Sequence, residues 1–402
     1  MTKFSKIILF ILITALSAWL LPWSYRFATV RPDSYPFTLY SPIVHSFAFP
    51  DYANGKVEYK DVLGRTYSEH QFDSILPTFY YRQLLSDGRL PATIEGIPVD
   101  GRSIQREYFI FRSNTTHINT AKTPLYPLLE AMPERVDLEM PDDVFRMTDR
   151  MEFVEMATNR IREEKSGHFT RALQEKGFTF PARIVAGNPT ARKDYDEGYL
   201  ITDRNHRLFH VKKLRDRPYV RPIEIPVEIH PQHLYVTEYT GRHYLGFLTD
   251  DQNRFYVLES GSYKLQQLPI PGFDPQTEDM MIIGDAFYWT IRISGKKSEK
   301  IYAVNPRNYN LQDSLNIAHR EQVSTEIAQY LFPFQLSFTS YEDRFVTPRI
   351  SDISYKALVL NFGLAVICLL ICPGKFRFRL KNAVILCILG LFGLIPLFLR
   401  KK

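Results

Sequence analysis

Histidine pairs, acid pairs and one Gly-Lys-Lys-Ser run are the residues of this 402-residue chain whose types and spacing could do chemistry. His206 and His210 stand four apart, which on a helix would present two imidazoles to one divalent metal. They fall in Leu200–Val211, however, which reads as strand, polar turn and strand, so both are expected as exposed hairpin residues. His230-Pro-Gln-His233 could bring two rings together in an extended loop, but no acidic or Cys residue with ligand spacing accompanies it. Gly295-Lys-Lys-Ser298 resembles the end of a phosphate loop but lacks the earlier glycine and a following helix. Glu259-Ser-Gly-Ser262 is not a G-x-S-x-G nucleophile elbow. Asp142-Asp143 and Asp250-Asp251 could supply paired carboxylates, yet helix starts and turns attract Asp for backbone reasons. Asn114-Thr-Thr116 matches a glycosylation sequon and carries no catalytic meaning. The reading assigns no catalytic, cofactor-binding or metal residue and no cofactor, and leans away from an enzyme.

The densest unusual segment is Phe72–Pro91. It sets Phe79, Tyr80 and Tyr81 beside Arg82 and closes on a Gly88-Arg89 turn. Aromatic residues and Arg dominate interface hot spots, which makes Phe79, Tyr80, Tyr81, Arg82 and Arg89 the candidate partner contact. Ordinary core packing uses the same residue types and stays open as the alternative. Together with Asp61-Val-Leu-Gly-Arg-Thr-Tyr67, this segment resembles an uncharacterised family of bacterial membrane proteins, a domain of unknown function in gut Gram-negative anaerobes. The resemblance covers most of the chain. Its genes tend to lie beside ABC-transporter components, which implies an accessory role by association. It carries over no catalytic residue.

These residues must be held by elements that the apolar pattern outlines. Ile7–Trp23 is an uncharged apolar run behind Lys3 and Lys6, long enough for a transmembrane anchor. A cleaved signal peptide with Ala15-Leu16-Ser17 at its cut site is the competing reading. Trp19 and Trp23 suit an interfacial belt at the far end of an uncleaved helix. Ala357–Cys372 and Ala383–Leu399 are two further apolar runs, separated by a short loop carrying Lys375, Arg377, Arg379 and Lys381. They read as a transmembrane hairpin. Residues 1–23 and 353–402 hold ten of the 50 Lys and Arg and none of the 44 Asp and Glu, which leaves 40 basic against 44 acidic residues between them, a net of −4. The overall charge of +6 therefore belongs to the flanks and supports no nucleic-acid footprint.

The positive-inside bias places Lys3, Lys6 and the Lys375–Lys381 loop in the cytoplasm, at the cost of Arg400-Lys401-Lys402 facing outward. The middle of the chain is then expected in the periplasm of a bacterium with an inner membrane. All three cysteines (Cys368, Cys372, Cys387) lie in the hairpin, so the exported part has neither a disulfide framework nor a thiolate metal site.

From Pro181 onward the text is strand-like. Leu200–Val211 aligns with Phe247–Leu258 at an offset of 47, and Ile291–Val304 offers a third copy. Hairpins recurring at this period indicate β-propeller blades. Val57–Tyr67 has the same layout, and Tyr108–Phe111 reads as a plain strand. Asp142 to about Lys165 carries Val144, Met147, Met151, Val154 and Ile161 at helical spacing, with Ser166-Gly167 as a break and His168–Lys176 as a second helix.

The expected organisation is mainly β, a membrane-anchored, extracytoplasmic, propeller-like domain with a small helical insertion, one N-terminal and two C-terminal transmembrane helices. Its parts are 1–23 (anchor), 24–141 (first part of the β domain), 142–180 (helical insertion), 181–352 (hairpin repeats) and 353–402 (hairpin). Three functions remain open: a non-enzymatic accessory protein of an ABC-type transporter or envelope complex, a membrane-tethered sensor or ligand-binding module, and a hydrolase or lyase built on a propeller.

Overall fold

The computed structural model describes residues 3–29, 36–52, 56–132, 138–295, 298–318, 323–338, 348–373 and 375–399. Lys296, Lys297 and Arg400–Lys402, which enter the readings above, lie outside the described residues. The chain forms two compact units: Pro36–Ala318, and a second made of Met1–Tyr35 with His319–Lys402.

The larger unit is mainly β, a succession of small antiparallel sheets. The first sheet is the meander β1 (Leu39–Ser41), β2 (Ser46–Asp51), β3 (Glu58–Asp61) and β4 (Thr66–Tyr67). Helices α2 (Glu69–Ile75) and α3 (Tyr81–Ser86) follow, then the ribbon β5 (Thr93–Ile94) and β6 (Ile97–Pro98), helix α4 (Gly101–Glu107), strand β7 (Phe109–Ser113) and helix α5 (Thr115–Asn119). Next come the hairpin β8 (Asp143–Met147) and β9 (Met151–Glu155) and helix α6 (Glu163–Glu175). Three four-stranded meanders complete the unit. They are β10 (Ile184–Gly187) to β11 (Tyr199–Thr202), β12 (Leu208–Leu214) and β13 (Arg217–Ile223); β14 (Pro231–Val236), β15 (Tyr244–Asp250), β16 (Phe255–Glu259) and β17 (Leu265–Gln267); and β18 (Asp279–Gly284), β19 (Trp289–Ser294), β20 (Ser298–Val304) and β21 (Leu311–Ala318). β7 adds to the free edge of β18 and makes the last sheet five-stranded.

Alternation along the strands explains how the sheets stack. On β12, Phe209 and Val211 face a core shared with Phe145, Phe153 and Phe169, while Leu208 faces a second core shared with Leu245 and Leu248. On β15, Leu248 points into that second core and Phe247 into a third, with Phe111, Ile291 and Trp289. On β20, Tyr302 and Val304 belong to the third core and Ile301 and Ala303 to a fourth, with Tyr40 and Phe47 of the first sheet. Successive side chains point to opposite faces of a strand, and here both faces are covered. Central strands therefore read as unbroken apolar runs, and each fully buried aromatic such as Phe247 contributes about 2–3 kcal/mol of transfer free energy.

The same five-residue turn closes three hairpins. Asp61, Asp203 and Asp250 are each at most 2% exposed. In each turn, Oδ1 accepts from the backbone N–H groups two and four residues on, and Oδ2 accepts from the guanidinium Nε four residues on. The residue three positions on has positive φ: Gly64 at 81°, His206 at 64° and Asn253 at 59°. Two of these turns link the second and third strands of their meanders, where Thr202-Asp203 and Thr249-Asp250 occupy equivalent places, and Ser294 takes that place in the last meander. Sequence repeat and structural repeat coincide.

The expected helix from Asp142 to Lys165 is instead the β8–β9 hairpin, and only Glu163–Glu175 is helical, with Ser166 and Gly167 inside it. Asp143, Phe145, Met151 and Phe153 face inward, and Thr148-Asp149-Arg150 makes the turn. Positions 144, 147, 151 and 154 fit a helical period, but the adjacent aromatic surface of Tyr199 and Phe209 is satisfied by a flat hairpin face. Asp143 thus starts a strand and not a helix, and Lys165 Nζ donates to both its oxygens at 2.7 and 2.8 Å.

In the other unit, α1 spans Lys3–Thr29 and runs through Pro22. It is the one helix among the described residues long and apolar enough to cross a membrane. α7 (Val323–Leu331), the ribbon β22 (Gln335–Ser337) and β23 (Arg349–Ser351), α8 (Ala357–Ile371), α9 (Phe376–Leu389) and α10 (Leu391–Leu399) complete this unit. Residues 319–352, expected with the β repeats, belong here. The basic segment expected as a loop is largely the first turns of α9, and the last apolar run is broken at Gly390, where φ is 54°. A Cβ at Gly390 would overlap the side chain of Asn361, itself buried in α8 and donating to the Cys387 carbonyl at 3.3 Å. Phe332 stacks on Phe392 beside Ala18, so α1, α7 and α10 share a core.

A candidate site in an aromatic cavity

Ser68 and Gln71 form a reciprocal capping box that starts α2, and Pro77 follows its end. α3 begins four residues after Pro77 and stops at Asp87-Gly88, with Leu84 as its buried anchor. α4 is capped by Asp100 and Ser103 in the same reciprocal way. Gly101 starts α4 against Leu85 of α3, and a Cβ there would come 2.7 Å from Leu85 Cδ1, the end of a half-exposed side chain that can turn aside.

Between these helices lies an open cavity of about 580 Å³ lined by Thr78, Phe79, Tyr80, Tyr81, Arg82, Gln83, Gln105 and Tyr108. Its volume and mixed lining fall in the range of ligand sites. Phe79 meets Tyr80 edge to face at 5.0 Å between centroids, and Phe37 packs behind Phe79 at 5.4 Å. Arg82 Nε donates to the Tyr81 hydroxyl at 3.1 Å, with its guanidinium 5.7 Å from the Tyr81 ring centre. Burial raises the Tyr80 and Tyr108 hydroxyls above their ordinary pKa, so both stay neutral donors at physiological pH.

Four of the five residues expected at a partner contact therefore line one cavity. Arg89 does not. Its guanidinium donates to the His70 carbonyl at 2.8 Å, Ser74 Oγ at 2.9 Å and Asp87 at 2.6 Å, which clamps α2 to the end of α3. Tyr108, Gln83, Gln105 and Thr78 were not singled out in the sequence, because their approach depends on how α3, α4 and the first sheet pack.

A second, much smaller cavity of about 20 Å³ shares Thr78, Phe79 and Tyr108 with the first and adds Tyr40, Asp285, Tyr288 and Thr290. Asp285 Oδ2 accepts from Thr78 Oγ1 at 2.6 Å, and Oδ1 accepts from the N–H groups of Phe287 and Tyr288 at 2.8 Å each. Burial pushes this carboxyl above its ordinary range despite those bonds, and nearby Glu95 adds to the rise.

The histidines behave otherwise than their spacing suggested. His210 is 1% exposed, held between the Tyr263 hydroxyl at 2.8 Å and the Glu197 carbonyl at 2.6 Å, and burial pushes its pKa down to about 4. His206 sits in the turn and faces His230, with 5.2 Å between ring centres. Next to His210, Lys193 Nζ reaches Asp196 at 2.5 Å and both Glu238 oxygens at 2.6 and 2.7 Å, a buried network between the second and third meanders. Glu259-Ser-Gly-Ser262 is a turn, with Gly261 at φ 74° and Ser262 Oγ donating to Glu259 at 2.8 Å. Among the described residues no three His, Cys, Asp or Glu side chains are grouped to hold a metal ion.

No curated protein matches this sequence. Among solved structures, the chain is similar to the β-propeller domain of Cps50 (Swd1) from Myceliophteria thermophila at 10% identity, covering 50% of this chain and 58% of that one, TM-score 0.26. It is similar to the Dos1 propeller at 9% identity, covering 46% of each chain, TM-score 0.26. A third likeness is to dihydro-heme d1 dehydrogenase NirN in complex with DHE, at 9% identity over 58% of this chain and 55% of that one, TM-score 0.24. The chain spans about half the length of each of these proteins. Residues 37–304, about two thirds of the sequence and nearly all of the β unit, match the model of the family described as Domain of unknown function (DUF4857), and the chain belongs to that family.

Proposed function

We propose that the protein is a membrane-anchored accessory factor that acts by binding a membrane-protein partner, of the ABC-transporter or envelope-complex class, and not by catalysis. The observation that carries this reading is α1, an apolar helix of spanning length beside flanks that hold no acidic residue. In this reading α8 and the broken pair α9–α10 lie in the bilayer with α1. α8 has only 15 residues, about 22 Å of helix against a hydrocarbon core of roughly 30 Å, and so needs helix partners or local thinning. The exposed apolar side chains Val359, Leu370 and Ile388 would face lipid or a partner helix. The β unit then sits in the periplasm of a Gram-negative bacterium as an incomplete or closed propeller. Four meanders supply blades, and a fifth forms from β8–β9 with the bridges Tyr126–Phe145 and Val154–Ile161 at its edges.

Replacing residues 353–402 by an unrelated membrane anchor tests the reading. Purification in mild detergent should then lose the membrane partner that the intact chain retains, with the β unit still folded by its Trp289 fluorescence in a background where Trp19 and Trp23 are Phe. Recovery of the same partner by the swapped chain overturns it. Reporter fusions at Gly261 and Lys375 test the orientation, and a periplasm-only reporter active at Lys375 and silent at Gly261 reverses it.

A further inference from the structure

The turn that begins at Asp285 departs from the other three. Asp61, Asp203 and Asp250 each have an Arg four residues on, and that guanidinium neutralises the buried carboxylate. The β18–β19 turn is one residue shorter, closing with Asp285 N–H to the Tyr288 carbonyl at 3.2 Å, and the fourth position holds buried Trp289. Among the described residues no Lys, Arg or His forms an ion pair with Asp285. A second carboxylate, Glu95, accepts from the Tyr288 hydroxyl at 2.5 Å and adds to the rise at Asp285, while the Arg307 guanidinium stays on the turn backbone, donating to the Ala286 carbonyl at 3.5 Å. Desolvated carboxylates are normally paired with a cation, and this one instead borders a cavity.

We propose that the two adjoining cavities form a binding site for a primary alkylammonium group. The inner cavity of about 20 Å³ holds one water-sized group, which a primary ammonium matches and a guanidinium or trimethylammonium exceeds. There the ammonium donates to Asp285, whose Oδ2 is also held by Thr78 Oγ1, within the ring set Tyr40, Tyr108 and Tyr288. The apolar body of the ligand extends past Thr78 and Phe79 into the outer cavity, against Tyr80 and Tyr81. The net negative β unit favours a cation over an anion. This assignment is independent of the membrane-partner reading, and failure of either leaves the other standing.

Isothermal titration of the full-length protein in detergent, in an amine-free buffer, tests it with n-butylammonium, phenethylammonium, n-butylguanidinium and neutral 1-butanol. Saturable binding of both ammonium probes is expected, tighter for phenethylammonium, with at least tenfold weaker binding of the guanidinium and none of the alcohol. Asp285→Asn should weaken ammonium binding at least tenfold. Gln105→Trp, at the exposed rim and away from Asp285, should weaken phenethylammonium more than n-butylammonium. Nα-acetyl-lysinamide distinguishes the source of the group: tighter binding than the free amines points to a partner's lysine, weaker binding to a free amine. Equal binding of 1-butanol and n-butylammonium overturns the proposal, as does wild-type affinity in Asp285→Asn or no saturation up to roughly 10 mM.

Discussion

Truncating Asp250 tests whether the repeated Asp–Arg turn, rather than strand packing alone, sets the stability of the β unit. The Asp250 carboxylate is fully buried and accepts from Gln252 N–H at 3.0 Å, Arg254 N–H at 2.9 Å, Arg254 Nε at 2.5 Å and Tyr256 Oη at 3.0 Å. Asp250→Ala leaves four donors without an acceptor. The Arg254 side chain is 30% exposed and recovers water, while the two backbone N–H groups and the phenol do not readily do so. At about 1–3 kcal/mol for each buried donor left unmade, with partial relief by an entering water, the loss should be about 3–5 kcal/mol. Asp250→Asn keeps one acceptor but sets an amide against the guanidinium, and should cost about 2 kcal/mol.

Urea unfolding of the full-length protein, with Trp19 and Trp23 replaced by Phe so that Trp289 alone reports, measures the difference. A cycle with Arg254→Ala should show coupling of about 1–2 kcal/mol. A loss below about 1 kcal/mol for Asp250→Ala, or no coupling to Arg254, would refute the reasoning. Burial alone would raise this carboxyl, but the hydrogen bonds from Arg254 and Tyr256 outweigh it and hold the pKa below the ordinary value. Its contribution is therefore complete above the unfolded carboxylate pKa of about 4 and lost as pH falls through the lower folded value, and Asp250→Ala should flatten that acid limb.

His210 is neutral in the folded protein with a pKa near 4, whereas the unfolded residue titrates near 6.5, so stability should rise with pH between these values by about 3 kcal/mol. His210→Gln should remove that slope, and an unchanged slope in urea titrations at pH 4.5 and 7 argues against the burial account. His206 carries positive φ where its two counterparts are Gly and Asn, so His206→Gly should be neutral or stabilise by up to ~1 kcal/mol, while His206→Val should destabilise by about 1–2 kcal/mol. Arg89→Ala should lower stability by about 1–2 kcal/mol by releasing the α2–α3 clamp, whereas Arg82→Ala should change it by less than about 0.5 kcal/mol. The reverse order in thermal melts would exchange their structural roles.

The hairpin repeat was legible because Val57–Tyr67, Leu200–Val211 and Phe247–Leu258 each carry their own turn chemistry: Asp, a left-handed residue three on, and Arg four on are local requirements written in adjacent residues. The long apolar N-terminal helix was legible for a similar reason, since length and absence of charge do not depend on distant partners. The hairpin at 143–155 was not, because its apolar spacing fits either period and the aromatic surface of Tyr199 and Phe209 decides between them. Arg89 and Arg82 share a sequence neighbourhood, and only the packing of α2 on α3 separates a clamp from a cavity wall. His210 looked exposed from its turn, yet a strand covered on both faces buries whatever occupies alternate positions. The two cavities that share Thr78, Phe79 and Tyr108 draw on residues from Leu39 to Thr290. That the β18–β19 turn sets its Asp against Thr78 and not against an Arg shows only in three dimensions, because the sequence spells out what each turn contains and only tertiary packing decides which distant side chain meets its carboxylate.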